Sequence, residues 1–329
     1  MLWPSRVVLG SLAIAFALGL EVPKWLEYGP FLASLVFLGL PHGAVDHLVP
    51  DRLLGRVTTS RSVAAVVLLY IALGTLYLVF WILTPVAAFA SFIVLTWFHW
   101  GQGDLHALTI LEDRPKKLLD NVGTVFVRGG LPMLVPLIAH PEVYREVFLN
   151  ASGIFGNNLS GTANWAFEPT FRVVAALALA VVAAFLFFRR ILEASTEERG
   201  SVVGETLEAG LLVAYFVVVP PVLAVGLYFC IWHATRHIAR LALLDKSSRE
   251  SLERGEFWPA LAVFMRDAAP LTAVALVMLA GLYVVIPGVR AEAGALLGVY
   301  MVLISLLTLP HVFVVSYMDY RQSVWRRIS

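Results

Sequence analysis

An all-α, polytopic membrane helix bundle of about ten transmembrane helices, forming one domain over residues 1–329, is the fold this sequence predicts. Three observations carry that prediction. The 329 residues are 59% hydrophobic and only 14% charged, against roughly 25% charged in a soluble domain. The apolar residues fall in runs of about twenty, long enough to span a hydrocarbon core as helix. The Lys and Arg residues collect between those runs. Within lipid each backbone group must be paired inside its own segment or in a closed barrel, and runs of this length select helices.

The segments follow in order. Segment one, about Val7 to Leu20, follows Arg6; its short length and basic start also fit a signal peptide, and a retained helix is expected. Segment two, about Pro30 to Val49, contains Pro41-His42-Gly43-Ala44-Val45-Asp46-His47. Segment three runs from about Ser62 to Leu83. Segment four, about Val86 to Leu108, contains Trp97-Phe98-His99-Trp100-Gly101-Gln102-Gly103-Asp104. Segment five, about Asn121 to Ala139, holds Arg128-Gly129-Gly130. The stretch from His140 to Glu168 is polar and rich in Gly and Asn, and reads as an external loop with one interfacial turn. Segment six is about Phe171 to Phe188. From Glu205 to Leu244 the chain is apolar for nearly forty residues, too long for one span, and Pro220-Pro221 divides it. Segments seven and eight therefore meet at that pair. Segments nine and ten are about Ala268 to Ile286 and Ala295 to Tyr317.

Basic clusters orient the bundle by the excess of Lys and Arg on the cytoplasmic side. They are Arg52, Arg56 and Arg61; Arg114, Lys116 and Lys117; Arg189, Arg190 and Arg199; Lys246, Arg249 and Arg254; and Arg321, Arg326 and Arg327. Ten spans with both termini cytoplasmic put every cluster on one side, as expected for a multi-pass protein of the cell membrane in contact with the lipid bilayer. That topology also brings His42, His99, His233, His237 and His311 to a similar depth. A net charge of +1 argues against a nucleic-acid partner. Nothing in the sequence identifies a protein partner. One cysteine, Cys230, excludes an internal disulfide and the multi-thiolate iron–sulfur and structural zinc sites.

The chemistry centres on His233 and His237. Four residues apart on a helix, they share one face, where a single metal ion can take both. Ionisable groups in a membrane segment are costly and mark function. Neutral imidazole suits Fe(II), Zn(II) and Cu. Metal-bound histidines need partners on their other ring nitrogen, and Asp46, His47, Gln102, Asp104 and His311 are the candidates. His311, after Pro310, stands between that role and a ligand's. His106 and His140 read as surface residues. Arg128, mid-segment, needs a partner, either Asp267 or carbonyls of a broken helix. Trp97, Phe98, Trp100, Phe229 and Trp232 flank the histidines and suit a long, flat, apolar ligand.

Several alternatives fail on residue counts. Gly101-Gln102-Gly103-Asp104 fits the GxGD string of intramembrane aspartyl proteases, but the second aspartate would be Asp46, without its usual tyrosine, and the histidines would be idle. A di-iron desaturase or hydroxylase needs about eight histidines in paired boxes. This chain has eight in all, and no His-His pair. A retinal protein needs a mid-membrane lysine for a Schiff base, and Lys24, Lys116, Lys117 and Lys246 all lie in loops. A non-catalytic membrane protein or transporter holding metal or haem remains the alternative; haem would use only two axial histidines.

Pro41-His42-Gly43-Ala44-Val45-Asp46-His47, Phe98-His99-Trp100-Gly101, Arg128-Gly129 with Pro132, and Trp232-His233 with His237 together resemble the Brp/Blh family of integral-membrane β-carotene 15,15′-dioxygenases. The matching pieces spread over most of the chain. The resemblance implies His42, His99, His233 and His237 as ligands of ferrous iron, Fe(2+). It implies β-carotene and O2 as substrates and two molecules of retinal as product.

Overall fold

The computed structural model describes residues 3–111, 117–155, 163–286 and 293–325. Arg114, Lys116, Arg326 and Arg327 of the basic clusters, and residues 156–162 of the expected outer loop, lie outside them. Among the described residues the regular structure is all helical. Among the described residues, seven helical segments are long and apolar enough to cross a membrane by length and composition.

Each of the ten expected segments is helical. α1 is Trp3–Ala17, only 15 residues. Segment two is a broken helix over Lys24–Leu53. It comprises α2 (Lys24–Glu27), α3 (Gly29–Val36), α4 (Gly39–Ala44), a 3-10 turn (Asp46–Leu48) and α5 (Val49–Leu53). Its prolines explain the breaks. Pro30, Pro41 and Pro50 each stand in the first turn of a short helix, where the missing N–H costs nothing. α6 is Ser60–Leu83, capped by the Thr59 hydroxyl, which accepts from the Ser62 N–H at 3.3 Å. α7 (Pro85–Leu111) and α8 (Leu118–Ala139) follow.

The outer stretch differs from expectation. Pro141–Ser152 is a 12-residue helix, α9. Val143, Val147 and Ala151 recur at i, i+4 and, with Phe148, give it an apolar face. Phe148 packs edge-on against Phe89 of α7 at 5.2 Å between ring centres. The polar composition masked this narrow face. α10 is Asn164–Phe167 and α11 is Pro169–Glu193. α12 (Thr196–Val218) begins with a capping box between Ser195 and Glu198.

After Pro220 the second half of the long apolar stretch is α13 (Pro221–Leu227), a π-helical turn (Tyr228–Ala234) and α14 (Thr235–Ala242). π turns inside helices recur at functional sites because they re-aim side chains. Here the turn carries His233. α15 (Lys246–Glu253), α16 (Phe257–Val285) and α17 (Ala293–Arg321) complete the chain.

Two apolar cores flank the centre. One gathers Leu9, Leu131, Leu212, Phe216, Tyr228 and Trp232 from α1, α8, α12 and the π turn. The other gathers Val45, Val66, Leu241, Phe264, Val314 and Met318 beside α4 and from α6, α14, α16 and α17. The histidine-bearing elements meet along the seam between them.

Glycines set the closest approach of α7 to α8. A Cβ on Gly101 would stand 2.8 Å from Val125 Cα, and one on Gly129 would stand 2.7 Å from Trp97 Cδ1. Neither position has room for a side chain.

Candidate metal centre

Five imidazoles converge at the seam. His42 comes from α4, His99 from α7, His233 from the π turn, His237 from α14 and His311 from α17; all are buried. His99 Nε2 and His233 Nε2 are 3.0 Å apart. His311 lies 4.7 Å from His99 and 5.0 Å from both His42 and His237, ring centre to ring centre. His42, His99 and His311 each offer a nitrogen within 4.8 Å of the others. Asp46, His237 and His311 form a second such group, so the two share His311.

These residues fit a metal ion. Two nitrogens at right angles on one ion, each about 2.1 Å from it, would be about 3.0 Å apart, as His99 and His233 are. His237 Nε2 and His311 Nε2 are buried with no hydrogen-bond partner, while His99 pairs with Gln102 on the side away from His233. Buried polar atoms are ordinarily paired, so orphans concentrated at one point mark a site for a ligand. The His42 Nδ1–H donates to the Gly39 carbonyl, which leaves Nε2 as the acceptor atom of that ring.

Two glycines seat the opposing rings. A Cβ at Gly43 would lie 3.4 Å from His311 Nδ1, and one at Gly103 would lie 3.3 Å from His233 Cε1. The glycines between the conspicuous polar residues of the two motifs are thus the platforms on which the other helices rest their imidazoles.

The expected supporting residues divide. Asp46 Oδ2 accepts from His311 Nδ1 at 2.7 Å and from the Tyr70 hydroxyl at 2.6 Å. His47 donates through Nδ1 to the Ala44 carbonyl at 3.0 Å and lines the cavity described below. Gln102 is fully buried and donates through Nε2 to Ser316 Oγ at 3.2 Å. Asp104 holds no imidazole. It accepts from Trp232 Nε1 at 3.1 Å and from Arg236 Nη1 at 2.5 Å. The Arg236 guanidinium in turn covers the Trp232 ring at 3.8 Å.

That aspartate belongs to a buried ionic network. Arg128 donates to Glu208 Oε1 at 2.6 Å and to the Glu205 carbonyl at 3.1 Å, and Arg6 also pairs with Glu208. Of the two partners expected for Arg128, Asp267 is ruled out, because it pairs with Arg52 at 2.5 Å. The network ties α1, α7, α8, α12 and α14 together beside the histidines. It satisfies charges that would otherwise be prohibitive in a membrane segment. His106 is buried in α7, contrary to its expected surface position. His140 is partly exposed and lies 3.0 Å from the Val217 carbonyl through Nε2.

Beside the centre lies a cavity of about 520 Å³ with an almost wholly apolar lining. His42, His99 and His311 form part of its wall, and Trp100 and Phe229 line it. These two rings stack at 5.9 Å between centres with an angle of 11°. Trp97, Phe98 and Trp232, expected beside a ligand, do not line it. The Trp97 indole N–H is held by the Phe126 carbonyl at 2.7 Å, Phe98 stacks on Trp325, and Trp232 is fixed on Asp104. Helical spacing could not say which aromatic ring faced the void. The lining also includes Ile71 of α6 and Val274 and Met278 of α16, which are 59%, 52% and 42% exposed. The cavity therefore reaches the apolar outer surface through these side chains. α9 closes another part through Val143, Tyr144 and Val147.

Fold and centre together define a multi-pass helical membrane protein with a buried polyhistidine centre on an apolar cavity. The chain belongs to the beta-carotene 15,15′-dioxygenase family, whose model matches residues 33–319. It is 41% identical, over 97% of its own length and 93% of the relative's, to a probable beta-carotene 15,15′-dioxygenase Blh of Halobacterium salinarum. It is 27% identical to a probable beta-carotene 15,15′-dioxygenase Brp of the same species, over 98% and 92% of the two chains. A beta-carotene 15,15′-dioxygenase of an uncultured marine bacterium is 27% identical over 41% of this chain and 46% of its own. No solved structure matches the chain.

Proposed function

We propose that this chain is an iron-dependent dioxygenase that cleaves the central 15,15′ double bond of β-carotene with O2 to give two molecules of retinal. The observation that carries the reading is the position of the histidine cluster on the wall of an apolar cavity that opens to the apolar outer surface. The names of the relatives supply the substrate.

His42, His99, His233 and His237 would hold the iron, with neutral imidazole nitrogens matched to Fe(2+). When bound, the iron supplies O2 activation. The remaining work falls to the protein. Trp100 and Phe229 present flat faces against which a polyene can lie. The apolar lining holds it by contact and position, which fixes the bond presented to the histidine wall. Pro132, Pro136 and α9 close the cavity and keep water out. The network of Arg128, Glu208, Asp104 and Arg236 fixes α7 and α14, and so the separation of His99, His233 and His237. The atoms balance without another reactant: one carbon–carbon double bond is broken, and each new aldehyde carries one oxygen atom of O2.

Placement in the cell membrane with both termini cytoplasmic accords with Arg52, Arg56 and Arg61 after segment two and with Arg189, Arg190 and Arg199 after segment six. Expression in cells that accumulate β-carotene tests the activity. Loss of yellow colour with retinal as the product, one 18O atom from 18O2 in each aldehyde, is expected. Persistent colour with a normally inserted, metal-loaded protein would overturn the reading in favour of a binding protein. Longer apocarotenals in place of retinal would overturn the assignment of the central bond.

A further inference from the structure

His311 was expected to support a ligand or to be one, and the structure separates those roles. Its Nδ1 is bonded to Asp46 Oδ2 at 2.7 Å, and the same oxygen takes the Tyr70 hydroxyl at 2.6 Å. Its Nε2 is buried and has no partner. A histidine that only supported another ring would spend a nitrogen on that ring. Here one nitrogen is spent on a carboxylate and the other is left facing the cluster. A carboxylate on Nδ1 fixes the tautomer with the lone pair on Nε2 and raises the basicity of that nitrogen, as it does for metal-bound histidines generally. His311 also belongs to both of the groups able to surround an ion.

Resting on the iron-centre reading above, we propose that His311 is itself a direct metal ligand, through Nε2, and that Asp46 and Tyr70 are its positioning residues. The three come from separate elements: the 3-10 turn after α4, α6 and α17. Two backbone features make room for the arrangement. Gly43 lets the His311 ring rest on α4. Pro310 removes the N–H that would bond the Leu306 carbonyl, and a Cβ on Gly74 of α6 would stand 3.5 Å from that carbonyl oxygen. α6 is therefore held close enough for the Tyr70 hydroxyl to reach Asp46. Tyr70 and His311 both line the cavity, so the positioning pair borders the space assigned to substrate while its polar atoms turn inward.

The test is metal titration of the purified full chain with Co(II), read by the visible d–d bands and by the dissociation constant. His311→Ala should give stronger d–d absorption, because the bands intensify as coordination number falls, together with weaker binding. Asp46→Asn should weaken Co(II) binding by about 10–100-fold, the usual effect of losing a carboxylate behind a metal-bound histidine. Tyr70→Phe keeps the ring and removes one hydrogen bond, so its loss should be smaller than that of Asp46→Asn with the spectrum unchanged. If His311→Ala fails to fold, the graded losses in the other two variants carry the test, and wild-type affinity in both overturns the proposal. A folded His311→Ala with the wild-type spectrum and affinity also overturns it, and leaves the iron-centre reading standing. A wild-type chain that takes up neither Co(II) nor Fe(II) overturns both.

Discussion

Gly129→Ala is the smallest change that should separate α7 from α8. A Cβ at this position would press closest on the Trp97 carbonyl oxygen, and would stand 2.7 Å from Trp97 Cδ1 and 2.8 Å from the Trp97 carbonyl carbon. Carbon atoms rest at about 3.5–4.0 Å, so the two helices must part or turn by roughly 1 Å. Trp97 cannot simply swing away, because its indole N–H is held by the Phe126 carbonyl at 2.7 Å. Overpacking of this kind costs about 1–3 kcal/mol. Against it stands the gain of about 0.5–1 kcal/mol that Ala brings over Gly inside a helix. The nearest atom is a backbone oxygen, which cannot rotate away, so the overpacking cost falls at the upper end of its range and the net effect is a loss of roughly 2 kcal/mol. Gly281 in α16 supplies the control, since nothing lies within 4 Å of a Cβ built there, and the same substitution should stabilise. Thermal melting in detergent checks the pair: Gly129→Ala should melt below wild type and Gly281→Ala at or above it. Because His99 follows Trp97 by two residues on α7, Gly129→Ala should also bind metal more weakly. A Gly129→Ala protein that melts at or above wild type would refute the close-packing argument.

Two further perturbations probe the rest of the site. Arg128→Met leaves Glu208 with Arg6 and Arg236 as neighbours. The cost should therefore be about 3 kcal/mol in thermal melts, the low end for breaking a buried ion pair, and Glu208→Met in the same chain should deepen it, because Arg6 then loses the carboxylate it pairs with. Val274→Trp with Met278→Trp fills the outer opening of the cavity on α16, a helix that carries none of the five histidines. It should lower kcat/KM for β-carotene by at least tenfold while iron content stays at the wild-type level, as read by product assay and metal analysis.

Much of this arrangement was legible in the residues, for physical reasons that also mark where reading stops. Every apolar run became helix because hydrocarbon leaves the backbone no other local partner. His233 and His237 were conspicuous because their spacing is local. The pairing of Asp46 with His311 spans 265 residues, and Tyr70 gave no signal, since a tyrosine in an apolar helix is unremarkable until its hydroxyl meets a carboxylate. The motif pattern drew attention to Asp104 as a companion of His99. Its partners turned out to be Trp232 and Arg236, because a charge buried in a helix bundle takes the nearest cation. Aromatic facing failed at Trp97, Phe98 and Trp232 because each ring found a carbonyl, a stacking partner or a carboxylate away from the cavity. The helix at Pro141–Ser152 was hidden by its polar face. The π turn had no local signature, and it changes which way His233 points.

Metal analysis of the purified chain, wild type beside His99→Ala, decides whether the buried imidazoles hold an ion. About one iron per wild-type chain, bound through imidazole nitrogens, is expected, and His99→Ala should lose it with the protein still folded and inserted. A wild-type chain free of stoichiometric transition metal, or a His99→Ala chain that keeps its iron undiminished, would contradict that expectation.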